Sequence, residues 1–434
     1  MSTTLDLVLD AARPRASGRV TRVVGLNLEV EGLTAPIGSA VELPTVRGES
    51  LVAEVVALRD GGLVCMPLGD LSGIEAGVIV SPSASAATVP VGEQLLGRVL
   101  DGLGRPIDGG PSLTGCARVG VDASAPHPLR RARIDAQLPL GVRAVDTLVP
   151  VGRGQRIGIF AGSGVGKSSM LSMFARGTDA PVTVLALIGE RGREVRDFID
   201  SDLGPSGLAR SVVVVSTSNE PALVRLRAAF TATRIAEWFR DRGDDVLLLM
   251  DSLTRFAMAQ REVGLSAGEP PATRGYPPSV FSLLPKLLER AGAGERGSIT
   301  GLYSVLIEGD DLMDPIGDAA RSILDGHIVL SRRLATAGHY PSIDVLESIS
   351  RLTGSITTPD QRAHASLCRQ LLAEYRDAKD LIEIGAYVAG TNPLVDRAIA
   401  LKEPMDGFLR QDLHELTPAT DAWARLAQLV GASG

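Results

Sequence analysis

The feature that most constrains the fold is the segment AGSGVGKS, residues 161–168, because it lies between a strand-like run and a helical stretch. The apolar run RIGIF precedes it and SMLSMFARG follows it. Small residues at such a turn let backbone N–H groups converge on phosphate oxygens, and the start of the following helix adds a favourable dipole. Lys167 would then reach the outer phosphates, and Ser168 would offer its hydroxyl to Mg²⁺. The pattern therefore predicts a nucleotide-binding loop.

Ala161 departs from the usual form of this motif, in which glycine is commonest at the first position. A chance glycine-rich turn is the alternative, but the eight-residue pattern and its strand-to-helix context argue against it. The residues expected to surround the nucleotide phosphates are Ala161, Gly162, Ser163, Gly164, Val165, Gly166, Lys167, Ser168 and Ser169.

Continuous apolar runs rich in β-branched residues alternate with helical stretches beyond residue 150. A run that is apolar on both faces suits a strand buried between two layers of helices, which is typical of a parallel sheet. The central part of the chain is therefore predicted to be an α/β fold. The runs are RIGIFA (156–161), VTVLALI (182–188), SVVVVS (211–216), VLLLM (246–250) and GLYSVLI (301–307).

The chain has 434 residues, too many for one hydrophobic core of ordinary size, so two or three domains are expected. Short apolar alternations before residue 80 favour a small β-barrel or sandwich, and SPSASAATVPVG (81–92) is predicted to be a linker. Beyond about Pro359 helical patterns replace the strands. The predicted division is an N-terminal segment (1–17), a β-barrel domain (18–83), a nucleotide-binding domain (84–358) and a C-terminal helical domain (359–434).

The composition narrows the class of protein. A formal net charge of −7 argues against duplex nucleic acid as the main partner, because phosphate neutralisation requires a surplus of Lys and Arg. Cys65, Cys116 and Cys368 are far apart and odd in number, so we expect buried free thiols. The N-terminal residues lack the pattern of a secretory signal, and no apolar run is long enough to span a membrane. We expect a cytosolic protein.

Two carboxylates at predicted strand ends are candidates for the chemistry. Asp251 ends the run DDVLLLMD, where an acidic group can hold hydrated Mg²⁺ at the carboxyl edge of a sheet. Glu190 ends LALIGE and could orient and polarise a water molecule in line with the γ-phosphate. The local sequence leaves Glu190 equally open to being a solvated loop residue.

Several motifs together resemble the catalytic-subunit family of rotary ATP synthases. They are VPVGEQLLGRVLDGLGRPIDG (89–109), GVRAVDTLVPVGRGQRIGIFAGSGVGKS (141–168), GERGRE (189–194), DSLTRFAMAQREVG (251–264) and PSIDVLESIS (341–350). The stretches 268–292 and 307–332 resemble the branch that powers type III export, whose members serve flagella or virulence secretion. The likeness runs from about residue 18 to the C-terminus, and ATRGYPPSVF favours the flagellar members.

The resemblance implies a small N-terminal β-barrel, a RecA-like α/β P-loop domain with a parallel sheet, and a C-terminal α-helical domain. It also implies roles by position. Lys167 and Ser168 match the phosphate and Mg²⁺ contacts, and Glu190 matches the glutamate that polarises the attacking water. Asp251 matches the aspartate that holds a Mg²⁺-bound water.

Three arginines match cationic positions of the family. Arg191 matches a phosphate-side arginine, and Arg255 matches another arginine near the γ-phosphate. Arg351 ends the SIS segment and matches the arginine finger, a residue that meets the γ-phosphate held by the neighbouring subunit. Loss of such a finger typically costs about 10³ to 10⁵ in rate, whereas an exposed surface arginine contributes almost nothing.

Two further positions concern the base. Tyr340 matches the aromatic residue that stacks on adenine. Leu413, in FLRQDL, stands where the family has a second adenine-side aromatic residue. This departure predicts a looser base pocket and a weaker preference for ATP over GTP.

The resemblance implies a homohexameric, Mg²⁺-dependent ATPase that energises protein export through the flagellar type III apparatus. The partners it implies are a dimeric regulatory or stator protein at an amphipathic helix over residues 4–12, a coiled-coil stalk, an export gate at the membrane, export substrates and chaperones, but no nucleic acid. The expected location is the cytoplasm, at the inner face of the cytoplasmic membrane.

Other functions remain open at this stage. The chain could serve a virulence-type secretion system, be the catalytic subunit of a rotary ATP synthase, or be a hexameric nucleic-acid translocase. The acidic balance and the absence of a basic aromatic stripe in residues 18–80 disfavour the translocase. A nucleotide-binding regulator without turnover is disfavoured by the joint presence of Glu190, Asp251, Arg255 and Arg351.

Overall fold

The computed structural model describes residues 16–46, 48–59, 61–83, 88–307 and 314–431. The described residues form a closed β-barrel, a large mixed sheet flanked by helices, and a helical region at the C-terminal end. The fold predicted from the sequence is confirmed. The helix expected over residues 4–12 lies outside the described residues.

Alternating apolar side chains close the N-terminal barrel. Its six strands follow the order β1-β2-β5-β4-β3-β6, and inward residues such as Leu28, Val41 and Val55 are fully buried in its core. The predicted linker 81–92 is wrong in part, because residues 81–83 belong to β6 and residues 88–91 form β7. The strands are β1 (Gly18–Val24), β2 (Asn27–Glu31), β3 (Ala40–Pro44), β4 (Ser50–Arg59), β5 (Gly62–Pro67) and β6 (Ile79–Ser83).

The central sheet follows the order β17-β16-β10-β15-β13-β11-β12-β8, with β14 paired to β15 outside this path. All neighbouring strands are parallel except β16 with β17 and β14 with β15. A separate two-stranded sheet joins β7 (Thr88–Val91) and β9 (Ala117–Gly120). The main-sheet strands are β8 (Val99–Asp101), β10 (Arg156–Ala161), β11 (Val182–Glu190), β12 (Ser211–Thr217), β13 (Asp245–Asp251), β14 (Gly292–Ala293), β15 (Ser298–Leu306), β16 (Gly326–Leu330) and β17 (Ile343–Ser350).

Helices cover both faces of this sheet and enclose two apolar cores, because its strands are apolar on both sides. A π-helical turn over Phe198–Leu203 connects α3 to α4. The helices are α1 (Arg143–Leu148), α2 (Lys167–Gly177), α3 (Gly192–Asp197), α4 (Gly204–Ala209), α5 (Ala222–Asp241), α6 (Leu253–Ala267), α7 (Pro278–Leu288), α8 (Pro315–Ile323), α9 (Arg332–Thr336) and α10 (Thr353–Ile356). Short 3₁₀ turns lie at 93–95, 128–130 and 273–275.

The C-terminal region contains α11 (Pro359–Glu383), α12 (Pro393–Leu409) and α13 (Ala419–Gly431). Phe408 and Trp423 pack into the same apolar core as the strands and α2, so this region is joined to the nucleotide-binding part. The buried Arg143 of α1 donates hydrogen bonds to Phe408 O at 2.9 Å and to Thr417 Oγ1 at 3.1 Å. None of the described helices has both the length and the hydrophobicity required to cross a membrane.

The cysteines are free, but they are not equally protected. Cys65 lies in the barrel core and Cys368 lies beneath the C-terminal helices, both fully buried. Cys116 is only partly buried, which corrects the expectation of three buried thiols. Its loop lies at the edge of the second core, where packing from one side leaves the other side open.

Candidate active site

The phosphate loop connects β10 to α2 at the carboxyl edge of the sheet. Gly164 and Gly166 have φ values of +76° and +91°, a left-handed conformation that glycine adopts without steric cost. The loop is anchored from behind, because the Ser342 hydroxyl donates to Val165 O at 2.6 Å. Helix α2 begins at Lys167, so its unpaired N–H groups lie where anionic oxygens are favoured.

The carboxyl ends of parallel strands meet at one edge, and this brings the predicted carboxylates to the loop. Glu190 is the last residue of β11, and Asp251 is the last residue of β13. The ammonium of Lys167 forms a hydrogen-bonded ion pair with Asp251 Oδ1 and lies 3.6 Å from Glu190 Oε1. Three residues separated by up to 84 positions therefore form one cluster.

The surroundings of Glu190 alter the pKa of its carboxyl group. Burial raises the pKa of Glu190 above its ordinary value, and the nearby negative charge of Asp251 raises it further. The positive charges of Lys167 and Arg255 oppose this rise. A carboxylate with a raised pKa beside a phosphate loop is a better proton acceptor than a solvated glutamate. The side chain of Glu190 is 18% exposed, so it is not the solvated loop residue that the sequence left open.

The oxygens at this edge fit a magnesium ion. Ser168 exposes its hydroxyl in the first turn of α2, and Asp251 presents a carboxylate at the adjacent strand end. Mg²⁺ favours hard oxygen donors and is usually held by one or two protein oxygens together with substrate phosphates. Among the described residues no group of three or more His, Cys, Asp or Glu side chains could hold a metal by itself. This donor set suits an ion that arrives with a nucleotide.

Tyr340 lies directly against the phosphate loop. A methyl group at Gly166 would come within 3.4 Å of two carbons of the Tyr340 ring. The tyrosine is 46% exposed, so part of its side chain is accessible to a ligand. The backbone N–H of Gln411 donates to Tyr340 O at 2.9 Å, which brings the segment containing Leu413 beside it. Leu413 itself is partly buried against the first apolar core.

Two of the predicted arginines have different surroundings. Arg255, in the first turn of α6, packs its side-chain carbons close to Gly189, where φ is +70°. Its buried Nε has no hydrogen-bond partner among the described residues, so it is available to an anionic oxygen. The side chain of Arg191 is 81% exposed and pairs with Glu194 at 3.1 Å. The structure does not bring Arg191 to Lys167.

Arg351 lies at the opposite edge of the sheet from the phosphate loop. Ile343, at the start of β17, is opposite Leu330, which in turn pairs with Ala161 of the loop strand. Ser350 is opposite Gly326, at the other end of β16. Leu330 and Gly326 are four residues apart on β16, so at ~3.3 Å per residue about 13 Å separate the two ends, and β17 covers this distance with a bulge. Arg351 therefore leaves β17 at the edge of the sheet opposite the phosphate loop of its own chain.

The surroundings of Arg351 hold it at the surface. Its guanidinium donates to Leu324 O at 3.2 Å and to Arg321 O at 3.3 Å, and the residue remains exposed. Hydrogen bonds to backbone carbonyls orient the side chain without neutralising its charge. The arginine is therefore presented outward as a cation.

Two serines of the site were missed by the sequence analysis. Ser342 anchors the loop, and Ser304, in β15, donates to Asp251 Oδ1 at 2.7 Å. The signal for Ser304 was its place as the one serine within the apolar run GLYSVLI. Buried polar groups are usually hydrogen-bonded, but the partner, 53 positions away, follows from strand order and not from the local pattern.

Comparison with known proteins agrees with this geometry. Residues 141–350 match the ATP synthase alpha/beta family, nucleotide-binding domain, and residues 357–428 match the T3SS EscN ATPase C-terminal domain. The flagellum-specific ATP synthase of Pseudomonas aeruginosa is 51% identical over 424 residues, covering 96% of this chain and 94% of that protein.

Two solved structures of EscN, from the type III secretion system of enteropathogenic E. coli, are similar over 95% of this chain and all of theirs. The assembled ATPase gives a TM-score of 0.91 and its complex with the central stalk EscO gives 0.88, each at 44% identity. The chain therefore belongs to the ATP synthase alpha/beta family, in the branch of flagellum-specific and type III secretion ATPases.

Proposed function

We propose that this ATPase hydrolyses Mg²⁺-bound ATP to drive protein export through the flagellar type III apparatus. The observation that carries the proposal is the cluster of Lys167, Glu190 and Asp251 at the mouth of the phosphate loop. A nucleotide-binding protein without turnover needs a cation at the phosphates, but it does not need a second, partly buried carboxylate beside that cation.

In the proposed mechanism, the loop amides and the start of α2 bind the phosphates, and Lys167 contacts the outer ones. Ser168, and Asp251 through a bound water, would hold Mg²⁺, which would supply charge neutralisation on the phosphate oxygens. Tyr340 stacks on the base, and Leu413 leaves the second side of the base pocket wider than an aromatic residue would.

Glu190 accepts a hydrogen bond from the attacking water and orients it toward the γ-phosphate. Its position at a strand end fixes the carboxylate relative to Lys167, which lies 3.6 Å away. The Nε of Arg255, which has no hydrogen-bond partner within the described part of the chain, is available to the phosphate oxygens from the side of α6. Arg191, exposed in the single chain, would contribute only where another subunit covers it.

In this mechanism a complete active site contains residues from two subunits. Arg351 is exposed and cationic, and its guanidinium is held at Leu324 O and Arg321 O, at the edge of the sheet opposite its own phosphate loop, so it is suited to the phosphate site of a neighbour. We therefore propose a homohexamer in which each Arg351 serves the adjacent site. The similarity to EscN in its assembled form supports a ring of this kind.

The partners follow from the same similarity. Because EscN forms a complex with its central stalk EscO, we propose that the ring of this protein holds a coiled-coil stalk. A regulatory dimer, the export gate, substrates and chaperones complete the proposed set. The protein would act in the cytoplasm, at the membrane face of the export apparatus.

The activity is tested by phosphate release from ATP by the purified chain, with Mg²⁺ or with EDTA. We expect turnover that requires Mg²⁺ and disappears in a Lys167→Ala variant; Mg²⁺-independent turnover, or tight ATP binding by that variant, would contradict the mechanism.

The flagellar assignment is tested by deleting the gene in the bacterium that encodes it. Loss of motility and of filament export supports it, whereas motile cells that fail to secrete virulence proteins would assign the chain to an injectisome.

A further inference from the structure

A buried serine faces the proposed magnesium carboxylate. Ser304 lies in β15 and is fully buried, and its hydroxyl donates to Asp251 Oδ1 at 2.7 Å. The register explains the contact, since Met250 pairs with Tyr303 and the next residues of the two parallel strands are Asp251 and Ser304. Side chains alternate along a strand, so both residues point to the same face of the sheet.

The apolar surroundings of Ser304 make burial of its hydroxyl unfavourable unless that hydroxyl forms a hydrogen bond. Leu302 on the same strand face belongs to the first apolar core, as do Ile159 and Leu249 on the neighbouring strands. Burying a hydroxyl in such a layer is unfavourable without a hydrogen bond, whereas a bond to a charged oxygen is about twice as strong as a neutral one. The hydroxyl is therefore committed to the carboxylate.

The contact also selects one oxygen of the carboxylate. Ser304 and Lys167 both donate to Oδ1 of Asp251. With Oδ1 held by two donors, a rotation that exchanges the two carboxylate oxygens would break both bonds. The remaining oxygen, Oδ2, therefore keeps one orientation.

We propose that Ser304 is a positioning residue for magnesium, acting through Asp251 and touching neither metal nor nucleotide. This rests on the proposed role of Asp251 as the residue that holds a Mg²⁺-bound water. Ser304 fixes Oδ2 as the acceptor for that water, so that the ion is placed together with the phosphates held by Lys167. A hydrogen-bond partner that orients a metal-holding side chain typically contributes 10- to 100-fold in metal affinity or activity.

The same two strands provide a matched control at their other end. Ser298 in β15 donates to Asp245 Oδ1 in β13 at 2.6 Å, and these two residues are direct register partners. The bond type and the strands are the same, but this pair lies at the amino edge of the sheet, away from the phosphate loop. Ser298→Ala therefore measures the structural cost of losing such a bond.

The experiment is calorimetric titration of ADP into the purified full-length chain, in Mg²⁺ and in EDTA. For Ser304→Ala we expect the Mg²⁺-dependent gain in ADP affinity to fall about 10-fold, with affinity in EDTA unchanged. Ser298→Ala should keep the full gain, and kcat should fall only in the Ser304 variant. Equal Mg²⁺-dependent gains in the two alanine variants would overturn the proposal.

Two further outcomes separate this inference from the proposed function. If the unsubstituted chain itself shows no Mg²⁺-dependent gain in ADP affinity, the proposed role of Asp251 is wrong, and the role of Ser304 is overturned with it. Ser304→Thr retains a hydroxyl on a residue that suits strands, so we expect it to restore the gain. The proposal would be overturned if the threonine variant kept its melting temperature but showed the same reduced Mg²⁺-dependent gain as Ser304→Ala. The reduction would then result from altered packing and not from loss of the hydroxyl.

Discussion

The ammonium of Lys167 lies 3.6 Å from Oε1 of Glu190. This distance joins the residue proposed to hold the outer phosphates to the residue proposed to orient the attacking water. A water bound to Glu190 would therefore lie beside whatever phosphate Lys167 contacts. Glu190 ends β11 and Lys167 begins α2, so both backbones belong to regular secondary structure.

Glu190→Gln should abolish hydrolysis while sparing nucleotide binding. The amide keeps the size of the side chain but accepts a proton poorly, and general base catalysis typically contributes about 10²- to 10⁴-fold. Phosphate release and ADP titration measure the two effects. Glu262→Gln, which changes a cation-paired glutamate outside the site, should retain normal turnover. Near-normal turnover by the Glu190 variant would remove Glu190 from the mechanism.

The activity should be lost toward acid pH earlier than an ordinary glutamate would predict. The pKa of Glu190 is raised above 4.5 by burial and by the charge of Asp251, and only the ionised form can accept the proton. As pH falls through this raised pKa, Glu190 becomes neutral and kcat should fall. A pH profile of kcat measures this decrease on the acid side, and circular dichroism at each pH confirms that the protein is folded. A folded protein that keeps full turnover at pH 4.5 would contradict this account.

Arg351→Ala should lower the rate about 10³- to 10⁵-fold if it acts as a finger. Arg130→Ala, which removes an exposed arginine paired with Glu295 at 3.6 Å, should change little. Mixing an Arg351→Ala chain with a Lys167→Ala chain, each inactive alone, should partly restore activity, since some sites then combine an intact Lys167 with an intact neighbouring Arg351. If subunits exchange and no activity returns, Arg351 does not act in trans.

Activity should also rise more steeply than linearly with protein concentration, because each finished site requires two subunits. Phosphate release measured from nanomolar to micromolar protein tests this directly. Chemically cross-linked rings provide the control, since their activity should scale linearly. A linear dependence for the untreated chain down to nanomolar protein would rule out a shared site that assembles in this range.

Tyr340→Ala should weaken nucleotide binding by about 1 to 3 kcal/mol, the usual contribution of stacking between a base and an aromatic ring. Tyr340→Phe keeps the ring and should bind normally.

Leu413→Phe would supply the missing second aromatic residue and should raise the ratio of ATP to GTP turnover. An unchanged ratio in a folded Leu413→Phe variant would show that this position does not contact the base.

The thiols should report the packing of the chain. Burial raises the pKa of Cys65 and of Cys368 from 9.0 to about 12, so both are neutral thiols at pH 8. Only thiolates react rapidly with disulfide reagents. In native protein at pH 8, Cys116 alone should therefore be modified rapidly, whereas in denatured protein all three cysteines should be. Loss of the fast-reacting thiol in Cys116→Ser is the control; rapid modification of Cys65 in the folded chain would contradict the barrel packing.

The sequence alone determined the local parts of this protein. The phosphate loop, the buried parallel strands and the C-terminal helices follow from spacing and apolar pattern, because these depend on residues close together in the chain. Glu190 and Asp251 were found as strand ends for the same reason. The linker at 81–92 was misjudged in part because small polar residues and prolines suit both a linker and edge strands.

The tertiary structure decided which of these parts meet. Strand order places Ser304 beside Asp251 and Tyr340 against Gly166, and the antiparallel run of β17 carries Arg351 to the far edge of the sheet. It also left Arg191 exposed, apart from the cluster it was expected to join. These relationships depend on pairing between distant segments, and a local pattern of apolar and polar residues contains no information about which strand lies next to which.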